Sequence, residues 1–151
     1  MDNTEEGWMR LAIEQAQIAY KKQEVPVGAI VVKDNAIIGA GFNQPISSCD
    51  PTAHAEIVAL RDAAAKLKNY RLVNATLYVT IEPCTMCFGA LMHARINTIV
   101  FGAAEPRAGV LESQLGLISE GFYNHKIHYK GGVLAKQCSG LIAQFFRERR
   151  S

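Results

Sequence analysis

The sequence predicts an α/β fold: a three-layer α/β/α sandwich with helices covering both faces of a mixed five-stranded sheet. Three observations carry this. Stretches of helical apolar periodicity interleave along the chain with short apolar runs or alternations typical of strands. Thr76 to Ile81, Phe88 to Met92 and Asn97 to Gly102 place strand, helix and strand within about 25 residues, the spacing of a right-handed parallel βαβ unit. At 151 residues, 49% hydrophobic and 20% charged, the chain has the size and composition of one domain, residues 1–151, with a substantial core.

In order along the chain, Thr4 caps a first helix whose inward positions are Trp8, Leu11, Ala12, Gln15, Ala16 and Ala19, ending before Pro26. Pro26 to Val32 reads as a buried strand, Lys33 to Asn35 as a turn, and Ala36 to Phe42 as the second arm of a hairpin. Asn43 to Asp50 is a Pro-, Ser- and Asn-rich loop. Asp50 followed by Pro51 has the form of an N-cap and first helical residue, opening a helix to Lys68 with Ile57, Leu60, Ala64 and Leu67 inward. After the βαβ unit come a loop from Ala103 to Glu112, a short helix over Ser113 to Ser119 and a fifth strand over Lys126 to Lys130. Gly131 and Gly132 break that strand. A last helix spans Val133 to Arg149, with Leu134, Cys138, Leu141, Ile142 and Phe145 on one face.

The bulk properties narrow the class. The longest charge-free stretches are polar and Gly-rich or run only about ten residues, well short of the roughly 20 that cross a bilayer. Met1 to Glu6 is acidic and lacks the basic end and apolar stretch of a secretory signal. A soluble, cytoplasmic protein is expected. Cys84 and Cys87 have close metal-ligand spacing while Cys49 and Cys138 stand alone, so the four cysteines make no disulfide framework and suit a reducing compartment. The net charge of +2 argues for no particular partner. Its distribution is uneven: 8 basic against 9 acidic residues from Met1 to Ala75, then 8 against 5, with Arg147, Arg149 and Arg150 at the end. That cluster reads either as a phosphate footprint or as a solvated helix end favoured by the helix dipole.

The chemistry concentrates at Glu82-Pro83-Cys84-Thr85-Met86-Cys87, a strand-to-helix junction, read together with His54-Ala55-Glu56 at a helix start. Cysteinates three apart share one face of a helical turn, and two cysteinates with a neutral imidazole suit zinc. Three protein ligands, His54, Cys84 and Cys87, leave the fourth position open, as in a catalytic site. A closed structural site needs a fourth ligand, and Cys49, Cys138, His93, His125 and His128 form no second close pair. A structural zinc knuckle and a redox Cys-x-x-Cys pair remain the alternatives. Glu56 is the natural proton acceptor, with one geometric difficulty: residues two apart in a regular helix point in nearly opposite directions. A site seated over the helix end would let both reach it.

His54-Ala55-Glu56 with Pro83-Cys84-Thr85-Met86-Cys87 resembles the signature of the zinc-dependent nucleoside and nucleobase deaminases. Within that superfamily, Glu24-Val25-Pro26-Val27-Gly28-Ala29, Gly41-Phe42-Asn43, Leu77-Tyr78-Val79-Thr80, Phe101-Gly102-Ala103, Asn124-His125 and Phe145 to Arg150 extend the resemblance to the bacterial tRNA-specific adenosine deaminases almost from end to end. The resemblance implies a cytidine-deaminase-like sandwich and one zinc ion per subunit. It implies a homodimer that converts the wobble adenosine of a tRNA anticodon stem-loop to inosine, by hydrolytic attack at C6 with Glu56 shuttling the proton. It also implies base contacts from Asn43, the Ala55 backbone N–H and Val27. Glu105, Arg107, Asn124, Phe145, Arg147 and Arg150 would contact the RNA. Phe145, spaced with Leu141 and Ile142, fits a core role equally well.

The chain departs from the family between Ala103 and Gln114, where Glu105-Pro106-Arg107 and Val110-Leu111-Glu112-Ser113 replace an Asp-Pro-Lys-like group and a Gly-rich segment. Charge signs are kept, which assigns Glu105 to a ribose hydroxyl and Arg107 to phosphate. A small-molecule purine or pyrimidine deaminase and a zinc-containing RNA-binding module are the competing readings. The distant RNA-side stretches separate the first from the tRNA reading, and dependence of activity on Glu56 separates the second.

Overall fold

The computed structural model describes residues 3–114, 116 and 124–150. Among them the elements run α1 (Glu5–Lys21), β1 (Gly28–Lys33), β2 (Ala36–Phe42), α2 (Ala55–Leu67), β3 (Thr76–Ile81), α3 (Thr85–His93), β4 (Thr98–Ala103), β5 (His128–Lys130) and α4 (Ala135–Arg150). The sheet order is β2-β1-β3-β4-β5. β1 runs antiparallel to both β2 and β3, whereas β3, β4 and β5 are mutually parallel, so the sheet is mixed as predicted.

Local chemistry sets the boundaries. Thr4 Oγ1 accepts from the Gly7 N–H at 3.1 Å, and Glu5 and Glu6 at the start with Lys21 at the end of α1 complement its dipole. The buried face of α1 is Trp8, Met9, Ala12, Ile13, Ala16 and Ala19, with Leu11 and Gln15 at its edge. The expected stripe is therefore rotated, because Met9 and Ile13 extend the apolar surface on the side the sheet takes. Asp34 and Asn35 both adopt left-handed φ (52° and 59°), the two-residue turn that matches hairpin twist. β1 starts at Gly28 and not at Pro26, which has no N–H to give a ladder.

The expected start of α2 at Pro51 is corrected. Asp50 Oδ1 accepts from the N–H and hydroxyl of Thr52 at 2.9 and 2.8 Å, closing a turn, and the helix proper is capped by His54 in extended conformation. Of the expected inward residues Ile57 and Leu60 are buried, Ala64 is partly covered and Leu67 is exposed. In α4 only Cys138 and Phe145 are buried; Leu141 and Ile142 are half-covered, and Leu134, at φ 55°, precedes the helix. The short helix expected over Ser113 to Ser119 lies largely outside the described residues. Ser113 itself is in a turn.

Strand alternation divides the core between two faces. Ala29, Val31, Leu77, Val79, Ile99 and Phe101 pack under α2 and α3, while Ile30, Val32, Tyr78 and Val100 pack under α1 and α4. The layers approach closely: a Cβ at Gly28 would strike the backbone of α1 at Ala12 and Ala16, and one at Gly41 would strike α2 at Ala55 and Ala59. Because β1 is antiparallel to β2 and β3, the start of β1, the end of β2 and the C-terminal end of β3 lie at the same end of the sheet. The site forms there.

Candidate active site

Two strand-to-helix entries bring the metal-type ligands together. Cys84 is the N-cap of α3 and His54 the N-cap of α2. His54 Nδ1 lies 3.7 Å from Cys84 Sγ and 3.6 Å from Cys87 Sγ, and the three donor atoms all fall within 4.8 Å of one another. Tetrahedral zinc with ordinary Zn–S and Zn–N bonds sets such a sulfur-to-nitrogen edge at about 3.6 Å. The residues therefore fit zinc in geometry and donor type, and a fourth position stays open. The helix N-termini at His54 and Cys84 direct positive dipole ends at the cluster, which stabilises thiolate.

Titration follows from this packing. The hydrogen bond from Cys87 holds the Cys84 thiol down to about 4, while making that bond and being buried push the Cys87 thiol up. A bound metal would take both sulfurs as thiolates. The hydrogen bond with Cys84 raises His54. Burial raises the Glu56 carboxyl to about 7. His54 is a cap with extended backbone, so His54 and Glu56 are not two apart within one regular helix; the geometric difficulty disappears.

A pocket of 260 Å³ opens beside the cluster, lined by Val25, Val27, Asn43, His54, Glu56, Ile81, Glu82, Cys84, Glu105 and Ala108. The structure thus gathers Val27, Asn43, Glu56 and Glu105 around His54 and Cys84. Ala55 opens α2, so its N–H has no intrahelical acceptor. Asn43 is held by its backbone N–H, which donates to Val27 O at 3.0 Å. Arg107 is exposed outside the pocket lining, its N–H bound to Glu105 Oε1 at 2.9 Å. Asn124 is exposed toward the opposite end of the parallel strands, next to His125, whose Nε2 lies 2.7 Å from Ile96 O. Phe145 is buried edge-on to Tyr20, with Arg149 over its ring, so the aromatic surface that α4 offers to solvent is Phe146. Arg147 and Arg150 are exposed in its last turn. Arg149 reaches Gln23 O at 2.6 Å, which ties the end of α4 to the pocket side of the sheet.

Sequence reasoning assigned no role to two buried carboxylates. Glu24 accepts from the N–H groups of Ile46 and Ser47 at 3.2 and 2.6 Å. Burial pushes its carboxyl up, but these bonds outweigh that and hold it below the usual range. Glu82, 2% exposed, accepts from the segment Glu105–Ser113. The one sequence signal for it was its place next to Pro83-Cys84.

Residues 2–103 match the family described as the cytidine and deoxycytidylate deaminase zinc-binding region. The tRNA-specific adenosine deaminase of Haemophilus influenzae is 48% identical over 147 residues, spanning 97% of this chain and 85% of that protein. The tRNA-specific adenosine deaminase of Bacillus subtilis is 40% identical over 146 residues, 97% of this chain and 91% of its own. A structure solved in a study of A-to-I editing at the wobble position of transfer RNA superposes with a TM-score of 0.87 at 37% identity, covering 89% of this chain and 98% of that one.

Purified protein should carry one zinc per chain by elemental analysis, and Cys87→Ala should carry less than about a tenth of that, since loss of a first ligand leaves two. Full zinc occupancy in Cys87→Ala would remove that residue from the ligand set.

Proposed function

This chain belongs to the cytidine and deoxycytidylate deaminase family, among its tRNA-specific adenosine deaminases, and we propose that its 151 residues act as a single deaminase domain in which Glu56 moves the protons and His54, Cys84 and Cys87 hold zinc. The reaction is hydrolytic conversion of the wobble adenosine of a tRNA anticodon to inosine. The observation that carries the residue assignment is the juxtaposition of the buried Glu56 carboxyl with a three-ligand cluster at the wall of a base-sized pocket.

Bound zinc supplies a Lewis acid that makes water nucleophilic near neutral pH. Glu56 takes the first proton of the attacking water and gives it to N1 of the purine as oxygen bonds to C6. It then takes the remaining hydroxyl proton and gives it to N6, so that the C6–N6 bond breaks and ammonia leaves with inosine as product. A buried carboxyl facing the attacked atom can do both. Asn43 offers an amide donor and acceptor to the purine edge, Val27 gives the ring an apolar wall, and the pinned backbone of Asn43 limits the entropy lost on binding.

Single-stranded loop bases are read by stacking and edge contacts, which a hairpin loop can offer to this pocket. The exposed Phe146 beside Arg147 and Arg150 supports an anticodon-loop contact at the end of α4, with Phe145 holding that helix to the core. Glu105 is assigned to a ribose hydroxyl and Arg107 to phosphate. Asn124 is kept as an RNA contact, one that its position at the other end of the strands would have to make away from the base pocket. We place the protein in the cytoplasm with its tRNA; no described helix is long and apolar enough to cross a membrane.

A second cavity, 360 Å³, lies between α2 and α3 with Ile57, Leu60, Ala64, Tyr70 and Ala90 among its lining. Its apolar walls and the exposed Tyr70 support a homodimer through this face.

With zinc bound, the protein should form inosine in an anticodon stem-loop carrying the wobble adenosine, and Glu56→Gln should lower kcat roughly a thousandfold while keeping fold and zinc; no inosine from the zinc-loaded wild type would reject the substrate. Arg150→Ala should flatten the dependence of log binding on log salt by about one, whereas an unchanged slope would return the cluster to a solvated helix end. Light scattering should give twice the chain mass for the wild type and the monomer mass for Tyr70→Asp; a monomeric wild type would remove the dimer.

A further inference from the structure

We propose that Glu82 is a positioning residue: its buried carboxylate ties Glu105–Ser113, one wall of the substrate pocket, to the turn that presents Cys84. The inference builds on the deaminase reading above.

Glu82 lines the pocket, yet it has no capacity left for a substrate. Oε1 accepts from the Glu105 N–H at 3.1 Å and from the Ser113 hydroxyl. Oε2 accepts from the N–H groups of Leu111, Glu112 and Ser113 at 2.9, 2.8 and 3.0 Å. A carboxylate offers about four lone-pair sites, and five donors fill them. All five come from residues 23 to 31 positions later in the chain. The segment closes around this group: a Cβ at Gly109 would collide with the carboxyl, and the Val110 N–H donates to Pro83 O at 3.1 Å beside it. Glu105 and Ala108, which line the pocket, belong to the same segment.

The direction of the bonds gives the requirement. Every partner of the Glu82 carboxylate donates, so the position needs an acceptor at both oxygens. A glutamine there keeps the size but turns two N–H bonds against backbone N–H groups, which cannot accept them. The segment would then leave its place against the pocket while Cys84, held by the start of α3, would keep the metal.

The test compares wild type and Glu82→Gln, both zinc-loaded, on the anticodon stem-loop, with hydrogen exchange followed on the same proteins. Expected are a KM raised about tenfold or more, a kcat within about threefold, and one zinc per chain. Exchange should accelerate at the amides of Leu111, Glu112 and Ser113 and stay as in wild type across β3 and β4. An unchanged KM, or a fall in kcat and zinc content with KM unchanged, overturns the proposal, the second outcome making Glu82 a support of the metal ligands alone. If Glu82→Gln does not fold, Ser113→Ala, which removes one donor and keeps the carboxylate, should raise KM by about two- to fivefold; an unchanged KM there also overturns it. A wild type that binds zinc but makes no inosine instead overturns the deaminase reading, and the exchange at residues 111–113 still decides whether Glu82 holds the segment.

Discussion

The structure depends on one constraint: His54 and Cys84 must each occupy the first non-helical position before a helix, with the two helix starts meeting. Both have extended backbone and, unlike Thr4, make no side-chain capping bond to the helix they open, which leaves the side chains free for the site. Only so can an imidazole from one entry and two sulfurs from the other approach within the span of a metal's coordination sphere, while the first turn of α2 delivers Glu56 to the same place. The parallel pairing of β3 with β4 sets the chain between them to return as α3, and the antiparallel β1 brings its own start, with Val27, to the same end of the sheet. Sheet direction thereby selects which side chains can meet.

Legibility in the sequence followed the range of the forces involved. The βαβ unit, the hairpin and the cap at Thr4 rest on local patterns, and each forms, with the first arm of the hairpin displaced to Gly28–Lys33 from the expected Pro26–Val32. The ligand set was equally readable, since Cys84 and Cys87 announce each other at short range and His54 stands beside a carboxyl. The start of α2 was misread because the cap signal of Asp50-Pro51 is met locally: Asp50 accepts from Thr52 and closes a single turn, which the chain leaves before the helix opens at Ala55. The buried face of α1 was rotated because its apolar surface is wider than one stripe, and only the sheet decides which part it covers.

What stayed hidden was long-range and polar. Glu24 and Glu82 have ordinary local contexts, and nothing in those contexts says that their acceptors are satisfied more than twenty residues away. Burial without such partners would be costly, so each buried carboxyl marks a loop it organises. Phe145 and Phe146 illustrate the same limit: adjacent aromatics on one helix, of which the packing against Tyr20 selects the first for the core and leaves the second to solvent.

The close approach at Gly28 and Gly41 has a wider meaning. It leaves the layers no slack, since one added carbon on either strand would push a helix off the sheet. Variation that such a frame can absorb is confined to the segments beyond the strand ends, held by side-chain acceptors such as Glu24 and Glu82 and by a few packed residues, among them Val110 and Leu111. A new substrate could therefore be reached by rewriting those segments, with the metal ligands and the layers beneath them left as they are. The frame separates the part of the protein that performs the reaction from the part that chooses its target.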